Sequence, residues 1–345
     1  MISPKVRTAI ESIRPMLDQN LAAKLNSQAA GQPRGALSLG SLDDVVFHYG
    51  LIRGSAEFVL HRKGLIAFAS GHGVASEAGD NGPTRTAGAV RQFLRGGSAA
   101  QVLCRHAGIE PLLVNVGLCG EEEPGALNFP IAPGTANIAS TAAMTVEQTN
   151  AALEIGLQLA AEAAARFDVA GLAQIGAGGS IAAAALLSAF SGRDAAETTP
   201  QNPEDSSAGH ARDVQSARTA VTRHQAEAAS SFGSLRTLGG LDIAAMTGFL
   251  LGAARHRLPV VIDGFVAGVA AVVARAMAPD SLDAMIFSHR EPSDAHSFLL
   301  RFLSVDPLLN LRISEAEGFG SALAIQTLES AIRLHREIRD LSGTA

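Results

Sequence analysis

The chain has 345 residues, 47% of them hydrophobic and 17% charged, with a formal net charge of −6. That composition is too apolar for a disordered chain and sufficient for a large packed core. No run of Lys or Arg stands out, which argues against nucleic acid or an anionic membrane as a partner.

Residues 1 to about 30 read as helical, because Val6, Ile10, Ile13 and Leu17 recur three and four apart. This opening lacks the continuous apolar run of a signal peptide, and no 18-residue uncharged apolar span reads as a membrane crossing. A cytoplasmic protein is the expectation. A turn-rich break at 32–35 leads into LSLGSLDDVVFHYGLI, where Ser41 with Asp44 approaches a capping box.

From residue 64 short apolar runs alternate with helical stretches. The runs are 64–73, 111–117, 169–180, 258–265 and 282–290, several without polar alternation, as in strands buried on both faces. Helices are expected over 84–106, 145–167 and 181–190, and over parts of 211–231, 240–256 and 265–277. Thr145 with Gln148 forms a capping-box start for the second. Such alternation predicts a parallel α/β sheet flanked by helices. The polar stretch 192–209 reads as a long surface loop or lid.

Ligands of open α/β sheets bind beyond the carboxyl ends of the strands. The tips here are Gly71–His72–Gly73, Asn115–Gly117, Gly176–Ser180, Asp263–Gly264 and Ser288–Arg290. Gly176, Gly178, Gly179 and Ser180 open a helix, so their amides suit a phosphate, although tight helix–strand packing uses the same glycines. The run is not a nicotinamide-cofactor fingerprint, because Ile181 stands where a third glycine is needed. Cys104 and Cys119 read as reduced core residues, and the ten histidines show no metal-ligand pairing.

The last stretch, 308–335, breaks at Gly318 and Gly320 and then becomes a helix with Ile325, Leu328 and Ile332 on one face. Glu315 and Glu317 precede the glycines. Spacing alone leaves two readings open: acids that cap the following helix, or a carboxylate whose pKa is raised by burial to suit a general base.

Ordered blocks across 36–335 carry a resemblance: LSLGSLDDV, GHGVASE, FLRGGSAAQVLCRHAG, GTANIASTAAMT, GAGGSIAAAALL, LGGLDIAAMTG, PVVIDGF, SHREPSDAH and EGFGSALA. The sequence resembles the nicotinate-nucleotide–dimethylbenzimidazole phosphoribosyltransferase family, whose product enters cobalamin biosynthesis. The resemblance implies a Rossmann-like parallel sheet with a small helical domain made from both chain ends. The small domain would comprise residues 1–45 and 306–345, the α/β domain 46–305. It also implies a homodimer, with nicotinate mononucleotide and an aromatic azole base as substrates and no metal or redox cofactor.

By the same resemblance Glu317 is the catalytic base. Gly176, Gly178, Gly179, Ser180, Arg218, Asp263, Gly264, Ser288 and Glu291 would surround the ribose and phosphate. His72, Ser76, Asp80, Thr84 and Gln174 would surround the base. Several positions depart from the family pattern. Gly71, Asn115 and Gln174 replace acids, GDNGPTRTA at 79–87 makes the base pocket more polar, and Glu291 replaces a serine. These departures leave open a non-catalytic relative that binds nucleotide or base, and an enzyme with a differently charged donor.

Overall fold

The computed structural model describes residues 1–30, 39–76, 82–120, 123–201, 206–314 and 317–342. Helices α1 (Pro4–Ser12), α2 (Gln19–Ala30) and α3 (Ser41–Arg53) precede strand β1 (Lys63–Ser70). Then come α4 (Gly82–Leu94), α5 (Ala99–Ala107), β2 (Ile109–Gly117), β3 (Leu127–Asn128), α6 (Val146–Arg166) and β4 (Val169–Ile175). After β4 the chain forms α7 (Gly179–Ser191), α8 (Ala195–Thr198), α9 (Ser207–His224), α10 (Ser231–Leu238) and α11 (Leu241–Arg255). It ends with β5 (Val260–Ile262), α12 (Gly264–Met277), β6 (Met285–Phe287), α13 (Asp294–Leu303) and α14 (Phe319–Ser342).

The described strands form one six-stranded sheet in the order β3-β2-β1-β4-β5-β6, every pair parallel. This is the Rossmann order, with its topological switch point between β1 and β4. β1 is buried along its whole length, as the unalternating apolar run anticipates. Side chains alternate across the sheet. Gly171 and Leu65 share one face, where a Cβ on Gly171 would meet Ser321 and Ile325 of α14. Phe68 points the other way and meets Phe249 of α11, ring centroids 6.0 Å apart. Helices therefore cover both faces.

Small residues allow the closest helix contact, α6 on α11. A Cβ on Gly248 would lie 2.1 Å from the Leu153 carbonyl oxygen, and one on Gly156 would lie 2.0 Å from that of Ala245. The single tyrosine, Tyr49, is fully buried on α3, edge-on to Phe58 at 5.3 Å. No described helix is long and apolar enough to cross a membrane.

Several local expectations need correction. The first helix splits: Ile13 turns extended two residues before Pro15, whose missing N–H and ring would break a continuing helix. The stretch 84–106 is two helices, parted where Gly96 takes φ +72° and Ser98 caps α5 through the Gln101 N–H. Gly40, not Ser41, is the cap of α3, and Asp43 instead accepts from the Leu39 N–H at 2.9 Å. The Thr145–Gln148 capping box is present. Within 192–209 the chain is not a simple surface loop: Ala195, Thr198, Thr199 and Pro200 are buried, and the Thr198 hydroxyl donates to the Ala184 carbonyl at 3.0 Å. Cys104 is a core residue, whereas Cys119, just past the end of β2, is exposed.

Replacing Gly248 with Ala should push α11 off α6 and destabilise the fold by about 1–3 kcal/mol, as overpacking typically does. Denaturant unfolding would check this, with an unchanged midpoint as the contrary result.

Candidate active site

The sheet's carboxyl edge holds a cleft of about 210 Å³. Gln174, Gly176 and Ser180 line it from the end of β4 and the start of α7, and Asp263 and Gly264 from the end of β5. Glu291 comes from beyond β6, and Ser314 and Glu317 from the connection into α14. Three carboxyl groups face this space, and no Lys or Arg is among its described lining residues.

Two of these carboxylates cap helices. Asp263 is buried, and its Oδ2 accepts the Gly318 N–H at 2.9 Å while Oδ1 accepts the Ser321 N–H at 2.6 Å. The orphan amides at the start of α14 are thus satisfied by an acid from the end of β5. Gly320 must be glycine, since a Cβ there would lie 2.1 Å from His289 Nδ1 and 2.8 Å from Asp263 Oδ1. Just ahead, Gly318 takes φ +98° and Glu317 φ +66°, a left-handed conformation that a non-glycine residue adopts only when its surroundings enforce it. The Asp263–Gly318 bond is adjacent to that strained residue and fixes its direction.

Glu291 caps the neighbouring helix. Its Oε1 accepts the Phe265 N–H at 3.0 Å, at the start of α12, where Asp263 makes no side-chain cap. Gly264, at φ +68°, leaves the room: a Cβ there would lie 2.3 Å from that oxygen. Burial pushes the Asp263 carboxyl up to about 6, although the Ser321, Gly318 and Gly320 amides pull it down. Burial pushes Glu291 up to about 7, against the Phe265 amide and with the help of the nearby Asp263 charge. Burial holds His289 down to about 4 and, with His289 beside it, His296 down to about 3. His296 Nδ1 accepts the Glu291 N–H at 3.1 Å. It therefore has no proton for the Glu291 carboxylate 3.5 Å away, and the two are not an ion pair.

A further buried carboxylate lies behind the floor. Asp242 Oδ2 accepts from Gln174 Nε2 at 2.8 Å and from His72 Nε2 at 3.0 Å. Gln174 Nε2 also reaches the Gly176 carbonyl at 3.1 Å, so the clamp sets the path of the glycine loop. The sequence reading missed Asp242, although an acid in the otherwise apolar run LDIAAMTG is a signal in itself.

The structure brings Gln174, Gly176, Ser180, Asp263, Gly264, Glu291 and Glu317 to one cleft. Gly178 and Gly179 shape the turn behind it, Gly178 at φ +84° against His72 and Ala75. Others lie elsewhere. His72 is buried against Asp242, and Ser288 is buried with its hydroxyl 2.8 Å from His289 Nδ1. Arg218 is not among the cleft's described lining residues and pairs with Asp194 through two nitrogens, one at 3.0 Å, where Asp194 caps α8 beside α9. Thr84 is exposed. Thr86, two residues on, faces inward and takes the Ala177 N–H at 3.0 Å. Ser76 ends a single helical turn at Gly73–Ser76. Asp80 and Glu315 lie outside the described residues. Asn115 folds back on its own strand end, accepting from the Gly117 and Leu118 amides.

Comparison with known proteins then decides the family. A family model described as phosphoribosyltransferase matches residues 14–344. The nicotinate-nucleotide–dimethylbenzimidazole phosphoribosyltransferase of Chlorobium chlorochromatii is 33% identical, over 98% of this chain and 97% of that one. Its namesake from Azotobacter vinelandii is 35% identical over 97% of both. The chain belongs to this phosphoribosyltransferase family. The crystal structure of the enzyme of that name from Thermus thermophilus superposes with a TM-score of 0.85 at 30% identity, covering 93% of this chain and 96% of that one. Membership makes the protein a transferase, and its sheet and flanking helices are those of the family fold.

The raised pKa of Glu291 has a definite sign for stability. A carboxyl that holds its proton more tightly when folded favours the fold below its unfolded pKa, and that advantage is lost as pH rises through about 7. His289 and His296 act oppositely below neutrality, so the wild-type profile mixes both. Glu291→Gln isolates one group: its stability relative to wild type should climb between about pH 4.5 and 7, as measured by denaturant unfolding at several pH values. A constant difference would refute the assignment.

Proposed function

We propose that the protein moves the ribosyl phosphate of nicotinate mononucleotide onto a ring nitrogen of 5,6-dimethylbenzimidazole or a related azole, releasing nicotinate. The observation that carries this reading is Glu317, held in a left-handed turn on the wall of the cleft at the strand tips. In this mechanism the Glu317 carboxylate takes the N–H proton of the azole. The opposite ring nitrogen attacks the anomeric carbon, and the bond from that carbon to nicotinate breaks. No electrons are gained or lost, and the azole proton ends on Glu317.

Asp263 is a positioning residue in this reading, since its hydrogen bonds run to the Gly318 and Ser321 amides. Gly176 and Ser180 form the floor under the sugar, and Gln174 the side toward the base. Family membership and the names of the relatives support the substrate pair. We also propose that residues 1–45 and 306–345 act as one helical domain over the 46–305 sheet. The protein then works in the cytoplasm as a homodimer, so light scattering should return twice the chain mass.

Glu317→Gln should lower nicotinate release in the presence of an azole by about 10²–10⁴-fold, the usual worth of a positioned general base, with mononucleotide binding little changed. Equal turnover in both proteins would remove Glu317 from the chemistry. Absence of turnover with any azole, alongside intact binding, would favour a non-catalytic relative.

A further inference from the structure

The opposite end of the sheet carries a hollow of its own. At the amino edge of the strands a space of about 500 Å³ opens between the end of α3, the approach to β1 and the last turns of α14. Arg53 comes from α3, Arg336 and Arg339 from α14, and Asp168 from the residue before β4. Helix α14 starts at Phe319, beside Glu317, so Arg336 lies about 26 Å farther along it at the usual helical rise. The hollow and the cleft at the strand tips are therefore separate places.

The charges around this hollow do not cancel. Asp168 is already answered by the Arg62 guanidinium at 2.9 Å and by the His61 and Arg62 N–H groups. Glu57, on the same rim, pairs with Arg339 at 3.0 Å. Among the described residues neither Arg53 nor Arg336 has an acid within ion-pairing distance. A basic residue in a last helical turn complements the helix dipole, which accounts for Arg53 and Arg339. It does not account for Arg336, nor for three guanidinium groups around one concavity in a chain of net charge −6. Arg53 and Arg336 are both half-buried, so their stems are packed while their heads line the space. Phe58 and Val59 add an apolar wall, Val59 being exposed. The volume falls in the range of small-molecule sites.

We propose that this hollow binds a phosphorylated small molecule, with Arg53 and Arg336 as donors to the phosphate and Phe58 and Val59 against its apolar body. Guanidinium forks match phosphate oxygens two at a time, and an anion relieves the repulsion between cations that no acid separates. Glu57 opposes the anion from the rim. The proposal does not depend on the transferase reading, because no residue of this hollow lines the cleft.

Calorimetry with inorganic pyrophosphate tests the site. Wild type should bind one equivalent that the double variant Arg53→Met, Arg336→Met lacks or holds at least about tenfold more weakly, since hydrogen bonds to charged groups are worth this much. Methionine keeps an apolar stem at each position, and circular dichroism would verify the fold. Glu57→Gln acts in the other direction: it removes the rim acid, leaves both arginines in place and should tighten pyrophosphate severalfold. Pyrophosphate held in the cleft is common to all three proteins, so the differences report the hollow alone. The proposal is overturned if the double variant keeps wild-type stoichiometry and affinity, or if Glu57→Gln leaves binding unchanged or weaker. Should the double variant fail to fold, Glu57→Gln decides by itself.

Discussion

The carboxylate of Asp263 is the tie between the two parts of the site. It leaves the end of β5, passes under the turn at Gly318, and accepts amides at the head of α14. An acid buried this deeply is costly to ionise, and only the convergent amides make it tolerable. Everything on the far wall of the cleft follows from that bond. The glycine turn can approach the sheet, Gly320 can pass beside His289, and Glu317 can be held left-handed facing the strand tips. The Ser321 hydroxyl, donating to the Val261 carbonyl at 2.7 Å, secures the same helix to the same strand.

Three acids of the site are answered by backbone amides or by the Gln174 and His72 side chains, with no Lys or Arg among their described partners. Asp263 caps α14, Glu291 caps α12, and Asp242 gathers Gln174 and His72. Such an arrangement is rigid, because each acid is held within a network of fixed partners. Among the described residues the cleft lining holds no Lys or Arg, and Arg218 pairs with Asp194.

Most of the fold was legible in the residues. Apolar runs without alternation marked five strands, and their glycine-rich ends marked the carboxyl edge where the cleft lies. What escaped has physical reasons. β3 is two residues long, too short for any period to register. The breaks at Pro15 and at Gly96–Gly97 were present as letters but were overridden by the helical spacing on either side. In the site, the places of Asp263, Gly264 and Gly176 were readable as strand tips, whereas Glu317 was singled out by the family resemblance, since its spacing equally allowed a helix-capping acid. The pairing of Arg218 with Asp194, 24 residues earlier, was not legible, because nothing local in the sequence brings α9 beside the start of α8. Thr84 and Thr86 differ only in which face of α4 they take, a matter of helix phase that the polar run 79–87 does not fix.

The burial of Tyr49 against Phe58 has a practical corollary. With no tryptophan in the chain, its own near-ultraviolet emission comes from one buried phenol and from phenylalanine. Emission excited beyond the tyrosine absorption band would therefore belong to whatever guest settles at the strand tips and not to the polypeptide.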